Sequence, residues 1–154
     1  MNAIRTCVAL VAVTALTACG GSGRLSHSEF VRDASRICRA ASSKAGRVAL
    51  PSLVASSDAR GALERVAVRE RKVIAVLRDL DSPKAEAAIV TEWLAVLDQM
   101  AGEVDFARDS VHRGATSTAI EAVARADTLE RRGRKLAGEQ GITACRFTQL
   151  PEAV

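Results

Sequence analysis

Proline is the residue that most limits how this chain folds, because only three prolines occur among its 154 residues, at positions 51, 83 and 151. Proline ends or kinks a helix, so the long stretches between these positions permit long helices. Apolar residues recur there at the three- and four-residue spacing of an amphipathic helix. The pattern predicts helices over about 26–48, 58–80, 83–113 and 118–141. Short connections make successive helices antiparallel, so we predict an all-α, up-down-up-down four-helix bundle.

Local signals predict where these helices begin and end. A serine or threonine followed three residues later by glutamate forms a capping box, proline is favoured at the first helical position, and glycine favours a helix end. The signals predict starts at Ser26 with Glu29, at Ser82 with Pro83 and at Thr118 with Glu121, and ends at Gly114 and at Gly141, which Ile142 follows.

The amino-terminal segment has the order of a secretory signal: one cation, Arg5, then an apolar stretch over 7–18 and a glycine-rich stretch over 20–23. Twelve helical residues reach about 18 Å, which is less than the roughly 30 Å of a hydrocarbon core. Cleavage is therefore favoured over membrane spanning.

The four residues Leu16-Thr17-Ala18-Cys19 resemble the end of a bacterial lipoprotein signal. The resemblance implies that Cys19 carries the lipid (diacylglycerol, palmitate), that the chain is cut before it, and that the protein is held at the extracytoplasmic face of the cell membrane. We expect a signal peptide over 1–18, a lipidated tether over 19–25, a helical bundle over 26–145 and a tail over 146–154. The alternatives are an ordinary signal peptide with a chance cysteine and a spurious start.

Four cysteines are present, and two of them belong to the amino-terminal segment: Cys7 in the signal and Cys19 at its end. Cys38 and Cys145 remain, and an even remainder in an exported chain indicates a disulfide. It would close a loop of about 107 residues and stabilise the fold by roughly 4–5 kcal/mol as an upper figure. The alternative, a redox or metal-binding thiol pair, has no C-x-x-C motif and no clustered histidines behind it.

Composition argues against several function classes. The net charge is +4, and +3 once the signal with Arg5 is removed, and aromatic residues make up 3% of the chain, so we expect no nucleic-acid partner. Serine-nucleophile, phosphate-loop, dinucleotide and haem-attachment motifs are absent from the sequence. We therefore expect no enzyme activity and no cofactor.

Glu70 lies in the middle of the apolar stripe of the second helix, between Val66 and Val73. A buried carboxylate needs a partner, and antiparallel register places Glu70 level with Trp93 and Arg36. The functional hypothesis is that Glu70 is a proton-handling or cation-binding carboxylate in the bundle interior, with Glu70 and Trp93 as possible ligand-binding residues. The alternative is a satisfied structural acid that sets helix register.

Two further clusters have simpler explanations. Asp109 and His112 lie on one helix face, but a di-metal bundle needs more inward carboxylates and a second inward histidine, so we expect no metal site. The basic cluster Arg131, Arg132, Arg134 and Lys135 is typical of a solvated helix end. Alternatively, it faces anionic headgroups together with Arg24, Arg78 and Lys84.

A first helix with the pattern Phe30-x-x-x-Ala34-x-x-Ile37-Cys38, a proline-led third helix and the ending Gly141-Ile142-x-x-Cys145 resemble small helical lipoproteins and secreted proteins common in high-GC bacteria. The resemblance implies a disulfide-tied α-helical bundle and carries no implication about activity.

Two function hypotheses follow. The first is a non-catalytic interaction module of the cell envelope, which presents to an envelope protein or polymer the acidic side of the third helix: Glu92, Asp98, Glu103, Asp105 and Asp109. The simpler explanation of these acids is a solvated helix face. The second is a carrier of a small apolar or cationic ligand, with a cavity where the small residues Ala122, Ala126 and Gly133 face Trp93. Those small residues equally allow close helix packing. A closed interior favours the interaction module, whereas a cavity lined by Trp93 and Glu70 favours the carrier.

Overall fold

The computed structural model describes residues 24–43 and 57–145, and this part of the chain consists of four α-helices without strands. They are α1 (His27–Ser43), α2 (Ser57–Arg78), α3 (Ala87–His112) and α4 (Thr116–Glu139), with a 3₁₀ turn at Lys84–Glu86 before α3. The predicted all-α four-helix bundle is confirmed. The predicted signal peptide, Cys19, most of the predicted tether and the predicted tail lie outside the described residues.

Helix α3 lies at the centre of the bundle. It packs on α2 and, most extensively, on α4, while α1 packs against α2. The largest fully buried apolar side chains come from α1, α2, α3 and the segment after α4: Trp93, Phe30, Leu63, Leu77, Leu97, Met100 and Ile142. One continuous core therefore joins the helices.

The predicted helix starts are partly confirmed. At α1 the capping box forms, because the Ser26 backbone N–H donates to Glu29 Oε2 at 2.9 Å and the Glu29 N–H donates to Ser26 Oγ at 3.4 Å. The third start is wrong in detail, since Pro83 precedes the 3₁₀ turn and the α-helix begins at Ala87.

The predicted start of α4 at Thr118 is also wrong. The helix begins at Thr116, and its first turn closes when the Ala119 N–H donates to the Ala115 carbonyl at 3.1 Å. Ala115 occupies the cap position without a side-chain hydrogen bond. The tight turn after α3 therefore leads directly into the next helix.

Both predicted glycine helix ends are confirmed. Gly114 and Gly141 have φ of 75° and 79°, the left-handed region that glycine adopts without steric cost. The backbone N–H of the residue after each glycine donates to a carbonyl five positions back, from Ala115 to Ser110 at 2.9 Å and from Ile142 to Ala137 at 2.8 Å. These are Schellman motifs, and the second one carries Ile142 into the core with 1% of its surface exposed.

The predicted disulfide between Cys38 and Cys145 is present, with Cα atoms 4.7 Å apart. Both cysteines are buried. The bond joins the middle of α1 to the segment that follows α4.

The start of α1 lies beside the connection between α2 and α3. The Leu25 N–H donates to the Asp81 carbonyl at 3.1 Å, and His27 Nδ1 lies 2.9 Å from Glu86 Oε1. Because α3 runs away from this connection and α4 returns, the end of α4 comes back to the same pole.

Candidate functional site

Glu70 is the most deeply buried acid of α2, with none of its surface exposed. It lies on the helix face that also buries Val66, Val73, Ile74 and Leu77. The prediction that Glu70 points into the bundle is therefore confirmed.

The predicted partners of Glu70 are not hydrogen-bonded to it. Among the described residues, neither of its carboxylate oxygens has a hydrogen-bond partner, and the same is true of Nε1 of the buried Trp93 indole. Arg36 is the wrong partner, because its guanidinium donates to Asp33 at 3.4 Å on the outer surface of α1. Two polar groups of the interior, one acidic and one an N–H donor, are left without partners.

Burial raises the pKa of Glu70 from about 4.5 to about 8, because removal from water disfavours the charged form. Positive charge from Arg69 opposes this rise in pKa, while the nearby carboxyl groups of Glu130 and Asp105 add to it. Glu70 is therefore mostly protonated and neutral at pH 7.

Two more acidic side chains, Glu130 and Asp105, lie inside the bundle. Neither was predicted to be buried. Glu130 of α4 is 2% exposed, and its Oε1 lies 4.0 Å from Arg134 Nε. Its place was visible in the sequence, since Glu130 continues the small-residue stripe through Ala126 and Gly133 at helical spacing. It was overlooked because glutamate is rarely a core residue.

Asp105 of α3 was expected on a solvated acidic face, and that expectation is wrong. It is 8% exposed and forms an ion pair with Arg71 of α2. A second ion pair joins Asp105 Oδ1 to Arg108 Nη1 at 2.9 Å. Asp105 thus belongs to the contact between α2 and α3, where two arginines balance its charge.

The other acids of α3 are also paired with arginines of this chain. The pairs are Glu92 with Arg132 at 2.8 Å, Asp98 with Arg78, Glu103 with Arg125 at 3.0 Å, and Asp109 with Arg108 at 2.9 Å. Guanidinium groups therefore compensate the negative charge along this helix.

The basic cluster of α4 is partly neutralised in the same way. Arg131 pairs with Asp127, Arg132 with Glu92, and Arg134 lies near Glu130. Lys135 is exposed and has no carboxylate within 4.0 Å among the described residues. Most of the cluster's charge is engaged within the bundle.

The predicted small residues of α4 serve close packing against α3. A Cβ placed on Gly133 would lie 3.2 Å from Leu97 Cδ2 and 3.7 Å from Val96 Cγ1. Ala122 and Ala126 are buried on the same face. The space opposite this stripe is therefore occupied by α3 side chains.

A surface groove of about 330 Å³ runs between α2 and α3. It is lined by Arg71, Ile74, Arg78, Asp98, Ala101 and Gly102, and neither Glu70 nor Trp93 lines it. Arg78 and Asp98 of this lining form an ion pair with each other, and Arg71 pairs with the neighbouring Asp105, so the charged side chains of the groove are already paired within the bundle.

Asp109 and His112 do not belong to a metal-binding group in the part of the chain that the structure describes, since nowhere there do three histidine, cysteine or acidic side chains converge suitably. His112 lies exposed at the end of α3. No described helix is both long and apolar enough to cross a membrane.

Comparison with known proteins returned no match to a family model, to a curated protein or to a solved structure.

Proposed function

We propose that the chain is a membrane-anchored, extracytoplasmic lipoprotein that acts as a non-catalytic interaction module of the cell envelope. The observation that carries this proposal is Leu16-Thr17-Ala18-Cys19, placed at the end of an apolar segment too short to span a bilayer. Lipid on Cys19 would hold the bundle at the outer side of the cell membrane.

The buried disulfide supports the same address. Disulfides persist in oxidising compartments outside the cytoplasm, and Cys38 and Cys145 are bonded. Cys19 is then the cysteine left over at the start of the processed chain.

The packing supports an interaction module. Gly133 lies close to Leu97, and apart from Glu130 the other buried residues of α4 are alanines: Ala119, Ala122, Ala126 and Ala137. Binding to a partner would therefore use the outer surface of the bundle.

Cys19→Ala tests the anchor. We expect the variant to leave the membrane fraction and to lose the lipid mass from its amino-terminal peptide, because the acylated thiol is gone. Cys7→Ala, which removes a cysteine of the same apolar segment, is the matched control and keeps both properties. Membrane retention of Cys19→Ala in a form cleaved like the wild type would contradict the proposal.

A second candidate function, a carrier of a small cationic or apolar ligand, rests on Glu70 and Trp93 as interior polar groups without hydrogen-bond partners. Native mass spectrometry of protein isolated from the envelope tests it. A bound small molecule that Glu70→Gln abolishes without changing the melting temperature at pH 5 would favour the carrier. An empty wild-type protein would leave Glu70 with a structural role.

A further inference from the structure

The outer face of α2 carries a stripe of three cations and two valines. Arg65, Val68, Arg69, Lys72 and Val76 follow one another at helical spacings of three, one, three and four residues. These spacings place them on one side of α2, opposite the buried face with Glu70. We call these five residues the α2 outer stripe.

The valines of this stripe are unusually exposed. Val68 is 58% exposed and Val76 is 42% exposed, and they are two of the four large apolar side chains that stand open to solvent among the described residues. The stripe therefore offers apolar side chains between long cationic ones.

Two of the three cations of the stripe, Arg65 and Lys72, are exposed to solvent. Arg65 and Lys72 have no carboxylate within 4.0 Å in the described part of the chain. Glu64 flanks the stripe, but it pairs with Arg108 at 3.4 Å. Asp79 is exposed beyond the carboxyl-terminal end of the helix.

The cations on the opposite flank of α2 have ion-pair partners. Arg71 and Arg78 point towards α3 and are bound by Asp105 and Asp98. The same helix thus uses Arg71 and Arg78 to hold the bundle together and leaves Arg65 and Lys72 exposed to solvent.

We propose that the α2 outer stripe lies on anionic lipid headgroups and orients the bundle side-on to the membrane. Lysine and arginine attract the negative surface of a bilayer, and short apolar side chains between them enter the boundary between headgroups and acyl chains. The occupant is a lipid surface because the stripe pairs cations with exposed valines, whereas an anionic polymer would gain little from the valines.

The amino-terminal connection places the stripe within reach of the membrane. Leu25 bonds to Asp81, so the chain enters the bundle beside the carboxyl-terminal end of α2. Five residues, 20–24, span at most about 18 Å, and the stripe from Val76 back to Arg65 covers about 16 Å of helix. This geometry rests on the proposed lipid anchor at Cys19, but headgroup binding by the stripe does not require the lipid.

The test uses residues 20–154, which contain every described helix and the disulfide but carry no lipid. Flotation with vesicles of phosphatidylcholine alone, and with vesicles containing 40% phosphatidylglycerol, measures binding at low and high salt. We expect binding to the anionic vesicles only, weakened by salt. Arg65→Gln with Lys72→Gln should weaken it about thirtyfold, since each cation contributes roughly one charge interaction with the surface.

The matched control removes two other unpaired cations. Lys84→Gln with Lys135→Gln has the same net charge as the test variant, and both residues lie at the pole where α1 begins. We expect this variant to bind like the wild type. Val68→Ser with Val76→Ser should lower the affinity up to about tenfold, because the two valines together expose roughly one side chain. Circular dichroism confirms that each variant remains folded.

Three results would overturn the proposal. The first is equal binding, or none, on neutral and anionic vesicles. The second is loss of binding in the Lys84 and Lys135 variant but not in the Arg65 and Lys72 variant, which means that the bundle stands end-on. The third is binding to soluble polyphosphate without binding to vesicles. Each of these outcomes is independent of the Cys19→Ala result, so the anchor and the stripe can fail separately.

Discussion

Glu70 and Asp105 are buried acidic residues on neighbouring helices, and their surroundings differ in charge and in hydrogen bonding. Asp105 has arginines from α2 and α3 beside it, so its buried charge is balanced. Glu70 has no hydrogen-bond partner in the part of the chain that the structure describes, and the largest influence on its pKa is loss of water. A carboxyl group in that position is most stable when it is neutral.

The raised pKa of Glu70 makes the stability of the fold depend on pH. The unfolded chain releases this proton near pH 4.5, whereas the folded chain keeps it until about pH 8. Between these values the folded state binds one proton more, so the free energy of unfolding falls as pH rises, by up to about 1.4 kcal/mol per pH unit. The stabilisation is complete below pH 4.5 and lost above pH 8.

Glu70→Gln should remove this dependence on pH, because the glutamine amide does not titrate. The substitution also breaks no hydrogen bond of the Glu70 carboxyl group within the described residues. We expect the variant to match the wild type within about 1 kcal/mol at pH 5 and to exceed it by several kcal/mol at pH 8.5. Urea unfolding at both pH values measures the difference. The matched control Glu64→Gln, on the exposed side of α2, should give the same small change at both.

If Glu70→Gln instead lost stability equally at pH 5 and pH 8.5, the carboxyl group would be accepting hydrogen bonds as an anion, and its neutral state would be ruled out.

The contact between α3 and α4 depends on small side chains along one helix. Gly133 brings α4 so near to Leu97 that a methyl group would press on it at 3.2 Å. Gly102 on α3 is the natural comparison, since a Cβ there would meet nothing within 4 Å. One glycine is required by packing, and the other only lowers helix propensity.

Gly102→Ala should raise the free energy of unfolding by about 1 kcal/mol, the difference in helix propensity between the two residues. Gly133→Ala should gain less or nothing, because contact with Leu97 offsets the propensity, and Gly133→Val should destabilise the fold by about 1–3 kcal/mol through overpacking. Thermal and urea unfolding measure these changes. An equal gain for both alanine variants would mean that α3 and α4 are not in close contact at Gly133.

At the scale of elements, sequence patterns located the helices better than their first residues. Gly114 and Gly141 were recognised as helix ends because only glycine adopts their backbone conformation without cost. Thr118 was a poor guide to the start of α4, since the Schellman turn at Gly114 already aligns Ala115 to accept the first helical hydrogen bond. When the preceding turn positions the cap residue, that residue needs no capping side chain, so the sequence does not mark the start of the helix.

At the scale of the whole molecule, the disulfide joins two segments separated by 107 residues. Cys38→Ser with Cys145→Ser should lower the free energy of unfolding by up to about 5 kcal/mol, because the unfolded chain regains the freedom of a large open loop. Urea unfolding measures the loss, and the wild type in excess reductant should show the same one. A loss below 1 kcal/mol would indicate that the unfolded chain stays compact without the bond.

The sequence supported a prediction of the fold class, this bond and the inward direction of Glu70, because each depends on a periodicity or a count within the chain. The partners of the buried acidic residues could not be predicted from the sequence. Asp105 is buried because Arg71 reaches it from another helix, and Arg36 misses Glu70 because Asp33 on its own helix binds it first. Such choices depend on how helices are rotated against one another, which a single helical pattern does not contain.

The bond between Cys38 and Cys145 turns most of the domain into a covalent ring that excludes the amino-terminal arm. A single proteolytic cut anywhere between these residues opens the ring but releases no fragment, because both pieces stay joined through the sulfur atoms. If Cys19 carries the proposed lipid, a cut between residue 20 and α1 would free the whole domain in one piece. A protease that sheds the domain would then have one short target, whereas a cut between the two cysteines leaves both pieces joined until a reductant reaches the buried bond.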